Sequence, residues 1–121
     1  MANVQIAWLN LERFKTDTQS FTKKYEKQIL RLIKITVDEI IRDVKRWTPV
    51  RSGRLERSWQ KRKIRGAANY EIWNSQDYAT FVENGTRYRR PIRMLQKAMI
   101  KGEIRLKKRL QDLAKKMERD F

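Results

Sequence analysis

One apolar stripe does most to constrain what this chain can become. Apolar and half-apolar residues fall at Tyr25, Ile29, Leu32, Ile33, Thr36, Val37, Ile40, Ile41, Val44 and Trp47. Steps of three, four and one place them on a single face of a helix with a 3.6-residue period. Lys24, Lys27, Arg31, Lys34, Asp38, Arg42, Asp43 and Lys45 fall mostly off that face. A helix over residues 25–47 is about 40 Å long at roughly 1.5 Å per residue. Pro49 ends it, because a proline pushes the residue before it out of the α region. A helix this long with one dry face requires a second layer to cover it.

The C-terminal third supplies a second stripe. Ile92, Leu95, Ala98, Met99, Gly102, Leu106, Leu110, Leu113, Ala114, Met117 and Phe121 recur at helical spacing. Pro91 suits the first turn of that helix. Gly102 weakens its middle by about 1 kcal/mol relative to Ala and marks a kink or a close packing point.

Between the helices, residues 48–55 form a turn-rich connection. Residues 55–64 and 70–73 are predicted strands, joined by a turn over 65–69. Trp59, Lys61 and Lys63 alternate with Ser58, Gln60, Arg62 and Ile64. Such a hairpin needs another layer on it. At the N-terminus, Val4, Ile6 and Trp8 alternate with Gln5 and Ala7, a short strand over 4–9. Asn10 is placed to cap a turn through Leu11 and Phe14, and residues 16–20 form a loop or helix start. Residues 78–82 fit a short strand or one turn of helix equally well. Asn84-Gly85-Thr86 is a helix stop or tight turn, and residues 88–90 are a basic loop. The order predicts an α+β fold, a single domain over residues 1–121. Two long amphipathic helices pack on a small antiparallel sheet, a hairpin plus the short N-terminal strand.

The chemistry of the chain is narrow. It has no Cys, which excludes disulfides and thiolate metal sites. It has no His, the commonest general base and metal ligand. The acids are scattered, and Asp38, Glu39 and Asp43 have the ordinary explanation of solvated helix charge. No phosphate loop, zinc spacing or nucleophile motif is present. No catalytic residue, cofactor site or metal site is therefore expected, and the chain is not expected to be an enzyme. The first residues lack the basic flank and long apolar core of a signal peptide. No apolar run approaches the ~18–20 residues of a membrane span.

Charge points the other way, toward binding. The chain carries 30 Lys and Arg against 14 Asp and Glu, a formal net charge of +16. A field of that sign attracts polyanions: nucleic acid, an anionic membrane or an acidic protein surface. Two clusters stand out, Lys61, Arg62, Lys63 and Arg65 on the hairpin, and Arg87, Arg89, Arg90 and Arg93 beside Gly85. They flank neighbouring elements and are expected to share one surface, facing DNA or an acidic neighbour. The chemistry available to them is phosphate-backbone contact without base readout. Lys107, Lys108, Arg109, Lys115 and Lys116 suit the solvated C-terminal part of a helix. Tyr70, Trp73, Tyr78 and Tyr88 lie among the charges, where aromatic rings can stack bases. Core packing is the stronger expectation for Trp59, Trp73 and Phe81.

Two segments together resemble a known family. The first is Thr48-Pro49-Val50-Arg51-Ser52-Gly53-Arg54-Leu55, followed by Ser58-Trp59. The second is Asn74, then Tyr78-Ala79-Thr80-Phe81-Val82-Glu83-Asn84-Gly85-Thr86-Arg87, followed by Pro91-Ile92, Met94-Leu95 and Ala98. Over about residues 25–100 the chain resembles the small neck or tail-component family of long-tailed phages and prophages. The residues that carry the likeness are Pro49, Gly53, Leu55, Trp59, Tyr78, Ala79, Val82, Glu83, Gly85 and Thr86. Ser52 stands where the family often has Thr, Met94-Leu95 where it commonly has Phe-Leu, and the stretch 87–93 is more basic than the family pattern.

The resemblance implies a structural virion protein of the neck, assembled in the host cytoplasm and joining the head connector to the tail. It implies a homo-oligomeric ring, hexameric or dodecameric, with DNA passing through the lumen. A head-completion or connector ring and a tail-terminator or tail-tube protein would be its partners, with non-specific contact to double-stranded DNA; no cofactor and no membrane are expected. The alternative reading is a free basic nucleic-acid-binding protein, nucleoid-like or regulatory. A third, a basic amphipathic protein at a membrane surface, weakens if the two apolar stripes cover each other.

Overall fold

The computed structural model describes residues 7–10, 23–50, 53–63 and 69–120. The first stripe folds as helix α1, Lys23–Trp47, with Tyr25, Ile29, Ile33, Val37, Ile40 and Val44 buried. The second folds as helix α4, Met94–Asp120, burying Leu95, Ala98, Leu106, Leu110, Leu113 and Met117. The two run antiparallel. Arg109 meets Thr36 and Glu39, Arg105 meets Asp43, and Lys101 lies over the ring of Trp47. Each fully buried aliphatic side chain contributes about 1.5–3 kcal/mol. The stripes therefore satisfy each other, and neither offers the dry face that a membrane-surface helix requires.

Gly102 is the close packing point. A Cβ there would collide with Cγ1 and Cδ1 of Ile40. Helix α4 runs through it without a break, and the absence of a side chain is what the position supplies.

Three antiparallel strands form the sheet, in the order β1-β3-β2. They are β1, Ala7–Asn10, β2, Trp59–Lys63, and β3, Asn69–Asn74. The hairpin pairs Trp59 with Asn74 and Lys63 with Tyr70, while Ala7 of β1 pairs with Ile72. The N-terminal strand thus joins the hairpin on its β3 side. Ile72 and Trp59 are buried in the same core as the helices, which makes the sheet the second layer. The expected start of the N-terminal strand, the turn capped by Asn10, the loop over 16–20 and most of the 65–69 turn lie outside the described residues.

The structure corrects several expectations and settles one left open. The strand predicted from Leu55 begins only at Trp59. Arg54–Arg57 form a short helix, α2, because Gly53 at φ 77° redirects the chain and accepts the N–H of Arg57 at 3.0 Å. The ambiguous segment is a helix, α3, Ala79–Asn84. Pro91 does not open the second long helix. The chain from Ile92 to Arg93 pairs its N–H groups with the carbonyls of Val82 and Glu83, so the helix starts at Met94. Ile92 consequently leaves the apolar stripe, and Phe81, expected in the core, is 54% exposed.

Candidate binding site beside the arginine loop

The two segments of the motif meet in space. Thr48 donates its hydroxyl to the carbonyl of Val44 at 2.6 Å and accepts the indole N–H of Trp59 at 2.8 Å. That pair fixes the start of β2 against the end of α1. The amide of buried Asn74 donates to the carbonyl of Leu55 at 2.8 Å and accepts the N–H of Gln76 at 2.9 Å. The hairpin end, α2 and the approach to α3 are thereby tied together.

Glu83 does the equivalent work for α4. It is 6% exposed. One carboxylate oxygen accepts the N–H of Leu95 at 2.8 Å, the other the N–H of Gln96 at 3.0 Å. These are N–H groups of the first turn of α4, which have no partner within the helix. A carboxylate there also complements the helix dipole. Gly85, at φ 79°, then turns the chain back so closely that a Cβ would sit 2.8 Å from the nitrogen of Pro91. Thr86 holds the next turn: its hydroxyl accepts the N–H groups of Tyr88 and Arg89, each at 3.2 Å.

This framework bounds a cavity of about 540 Å³. Pro49, Gly53 and Leu55 line it from the first segment, with Tyr78, Phe81, Val82 and Ile92 from the second. Thr86, Arg89 and Arg90 complete the lining. Of the remaining motif residues, Trp59, Ala79 and Glu83 are buried and set the frame instead.

The two basic clusters have different circumstances. Lys61 is ion-paired with Asp38 on α1, while partial burial, with Lys34 nearby, lowers its pKa. Arg62 lies across β3, donating to Glu71 at 2.8–2.9 Å and standing 5.3 Å over the ring of Trp73. Glu71 is buried, so Arg62 compensates a charge that would otherwise be costly. Lys63 is exposed, and Arg65 lies outside the described residues. By contrast Arg87, Arg89 and Arg90 are exposed, and none is within ion-pair distance of a carboxylate among the described residues. Arg93, at φ 55°, bonds to the side chain of Gln96 at 2.9 Å.

Lys61 is anchored at Asp38, nine residues before the end of α1, or about 14 Å along the axis. The cavity lies past that end, beside Pro49. Lys61 is therefore held back along α1 from the cavity. Among the described residues, no group of His, Cys, Asp and Glu is arranged to hold a metal ion, and no helix is long and apolar enough to cross a membrane.

Sequence reasoning missed the ion ladder between the helices. Arg105 donates to Asp43 at 2.8 Å, and Arg109 donates to Glu39 and, at 2.9 Å, to Thr36. Asp43 is buried, not solvated. The Arg109 hydrogen bond holds the Glu39 carboxyl below its ordinary 4.5, against the opposing effect of burial, and the charges of Arg109, Arg105 and Arg42 add to it. The signal available was acids at 39 and 43 facing bases at 105 and 109, four residues apart on each helix.

One of the comparisons with known proteins finds a match. The family model described as "Bacteriophage HK97-gp10, putative tail-component" matches residues 12–85, more than half of the chain. No curated protein and no solved structure matches it. The matched stretch takes in α1, the Pro49 turn, the hairpin and α3 and stops at Gly85, while the arginine loop and α4 follow it. The chain belongs to the HK97-gp10-like family of phage tail components.

Proposed function

We propose that this chain is a structural subunit of the phage neck, a single folded domain that joins the head connector to the tail within a homo-oligomeric ring. Membership of a phage tail-component family is the observation that carries the reading. Its role there is to bind and position neighbours, not to catalyse. One face of the ring meets a head-completion or connector ring, the other a tail-terminator or tail-tube protein. Head-to-tail contacts between identical subunits close into a ring when the rotation permits.

Charge supports the passage of DNA. A ring of subunits each carrying +16 needs counter-charge, and double-stranded DNA in the lumen supplies it without base readout. Lys63 and the exposed arginines are the groups available for phosphates or for an acidic neighbouring ring, since Lys61 and Arg62 are committed within the fold.

Mass by light scattering after size exclusion tests this, at low and high salt, with and without a short DNA duplex. A ring, or a monomer indifferent to the duplex, supports the neck reading. A monomer or dimer that moves wholly onto the duplex at low salt and leaves it at high salt identifies a free nucleic-acid-binding protein instead, because phosphate contacts release counterions.

A further inference from the structure

The cavity beside the arginine loop combines two properties. It is lined by apolar side chains that remain partly in water: Tyr78, Phe81 and Ile92 are 41%, 54% and 37% exposed. Its edge carries Arg89 and Arg90, which have no carboxylate partner among the described residues. The surrounding sequence deepens the imbalance. Residues 84–102 contain Arg87, Arg89, Arg90, Arg93, Lys97 and Lys101 and no acid. The frame behind the cavity is tied together by the hydrogen bonds Thr48–Trp59 and Asn74–Leu55 and the two from Glu83 to α4. A preformed apolar recess with a few placed polar groups is the usual form of a binding site.

The occupant follows from charge. A second copy of the chain fits poorly. Asp43, Glu71 and Glu83 are buried in the fold, and Asp38 and Glu39 are paired with Lys61 and Arg109. What remains acidic is scattered on a body of net charge +16, so two copies repel at this face. Duplex DNA satisfies the arginines but leaves the cavity largely unfilled, since its bases are stacked inside and offer a recess of about 540 Å³ little more than a thymine methyl at the groove edge. A protein segment bearing both acids and an apolar side chain satisfies both halves of the site.

The geometry points to this cavity as the docking site for an acidic segment of a different virion protein. One aromatic or aliphatic side chain of that segment enters between Leu55, Phe81 and Ile92, and flanking carboxylates meet Arg89 and Arg90. Planar guanidinium groups suit carboxylates through paired hydrogen bonds. The buried anchor supplies most of the affinity, and the charges set register and the rate of encounter. The inference rests on the neck reading for the kind of partner, and its own test is separate.

A library of short random peptides is panned against the whole chain, and the best peptide is labelled and titrated by fluorescence anisotropy. The expected consensus is an aromatic or aliphatic residue flanked by Asp and Glu. Replacing that residue with Ala weakens binding about tenfold or more, as do Phe81→Asp, Phe81→Ser and the pair Arg89→Glu with Arg90→Glu. These side chains are exposed, so circular dichroism and the thermal midpoint stay unchanged, and the light-scattering mass stays that of the wild type. A library that yields no acidic–apolar consensus overturns the proposal, as does a peptide indifferent to both Phe81 substitutions. A short duplex that binds as tightly as the peptide and weakens on the same substitutions overturns it too and assigns the face to nucleic acid. A chain that moves wholly onto the duplex at low salt, unaffected by the Phe81, Arg89 and Arg90 substitutions and with peptide binding intact, would sink the neck reading and leave this one standing.

Discussion

Glu83 shows how a single residue can be visible in a sequence while its work is hidden. It stands in the motif from Tyr78 to Thr86, yet its partners are the N–H groups of Leu95 and Gln96, twelve and thirteen residues further on. Spacing rules for capping reach only one turn, so no local pattern reports a cap supplied from another element. Thr48 and Trp59, eleven residues apart, were equally opaque as a pair. Glu83→Ala is expected to lower unfolding free energy by about 1–3 kcal/mol, because the buried N–H of Leu95 loses its acceptor outright while the part-buried N–H of Gln96 can turn partly to water. Glu83→Gln keeps one acceptor oxygen and loses about half of that. Urea denaturation checks both, and equal stability of the three proteins would contradict the capping role. The exposure of Phe81 was unreadable for a related reason: an aromatic ring in a short helix gives no sign of whether a neighbour covers it.

At the scale of elements, the two long helices were legible because their stripes are long and regular. The short pieces were not. Leu55 looked like the start of a strand, but the left-handed Gly53 made a helical turn of it. Pro91 looked like a helix start, but pairing of Ile92 and Arg93 with α3 delayed the helix to Met94. Tertiary pairing overrode local preference at Pro91, while at Leu55 the local geometry of Gly53 decided.

Gly102 separates the two kinds of argument cleanly. Helix propensity alone predicts that Gly102→Ala gains about 1 kcal/mol. The contact with Ile40 predicts a net loss of about 1–3 kcal/mol through overpacking, and the sign of the change in thermal midpoint decides. The ladder between α1 and α4 makes a prediction in pH. The folded state holds the Glu39 carboxyl below its ordinary 4.5, so the unfolded chain binds the proton more readily as pH falls. The stabilisation is complete above about pH 5 and is lost as pH falls through the lowered folded value. Glu39→Gln should remove that part of the acid slope, and an unchanged slope in urea titrations below pH 5 would exclude the pair as its source.

For the whole molecule, composition announced a binding protein but did not say which cations were free to bind. Lys61 and Arg62 looked like surface charge in a run of three, and the fold commits both to carboxylates at Asp38 and Glu71. Arg89 and Arg90 have no such partner among the described residues. Arg62→Ala is therefore expected to destabilise the fold by about 3 kcal/mol or somewhat less, since Arg62 is largely exposed while Glu71 is left buried without its cation. Arg89→Ala and Arg90→Ala are expected to stay within about 0.5 kcal/mol of wild type. Thermal denaturation of the three variants distinguishes structural cations from free ones. The cavity itself was only half legible. Its residues sit in the two motif segments, but the sequence did not show that Pro49, Leu55, Phe81 and Ile92 converge beyond the end of α1.

The central claim, that the chain is a structural joint of the virion neck, is tested most directly by electron microscopy of particles made without it. The gene for the chain is removed from its phage or prophage, the lysate is imaged, and the chain is then supplied from a plasmid. The account predicts separate heads and tails, restored to joined particles by the wild-type chain. Complete, infectious particles in its absence would contradict it.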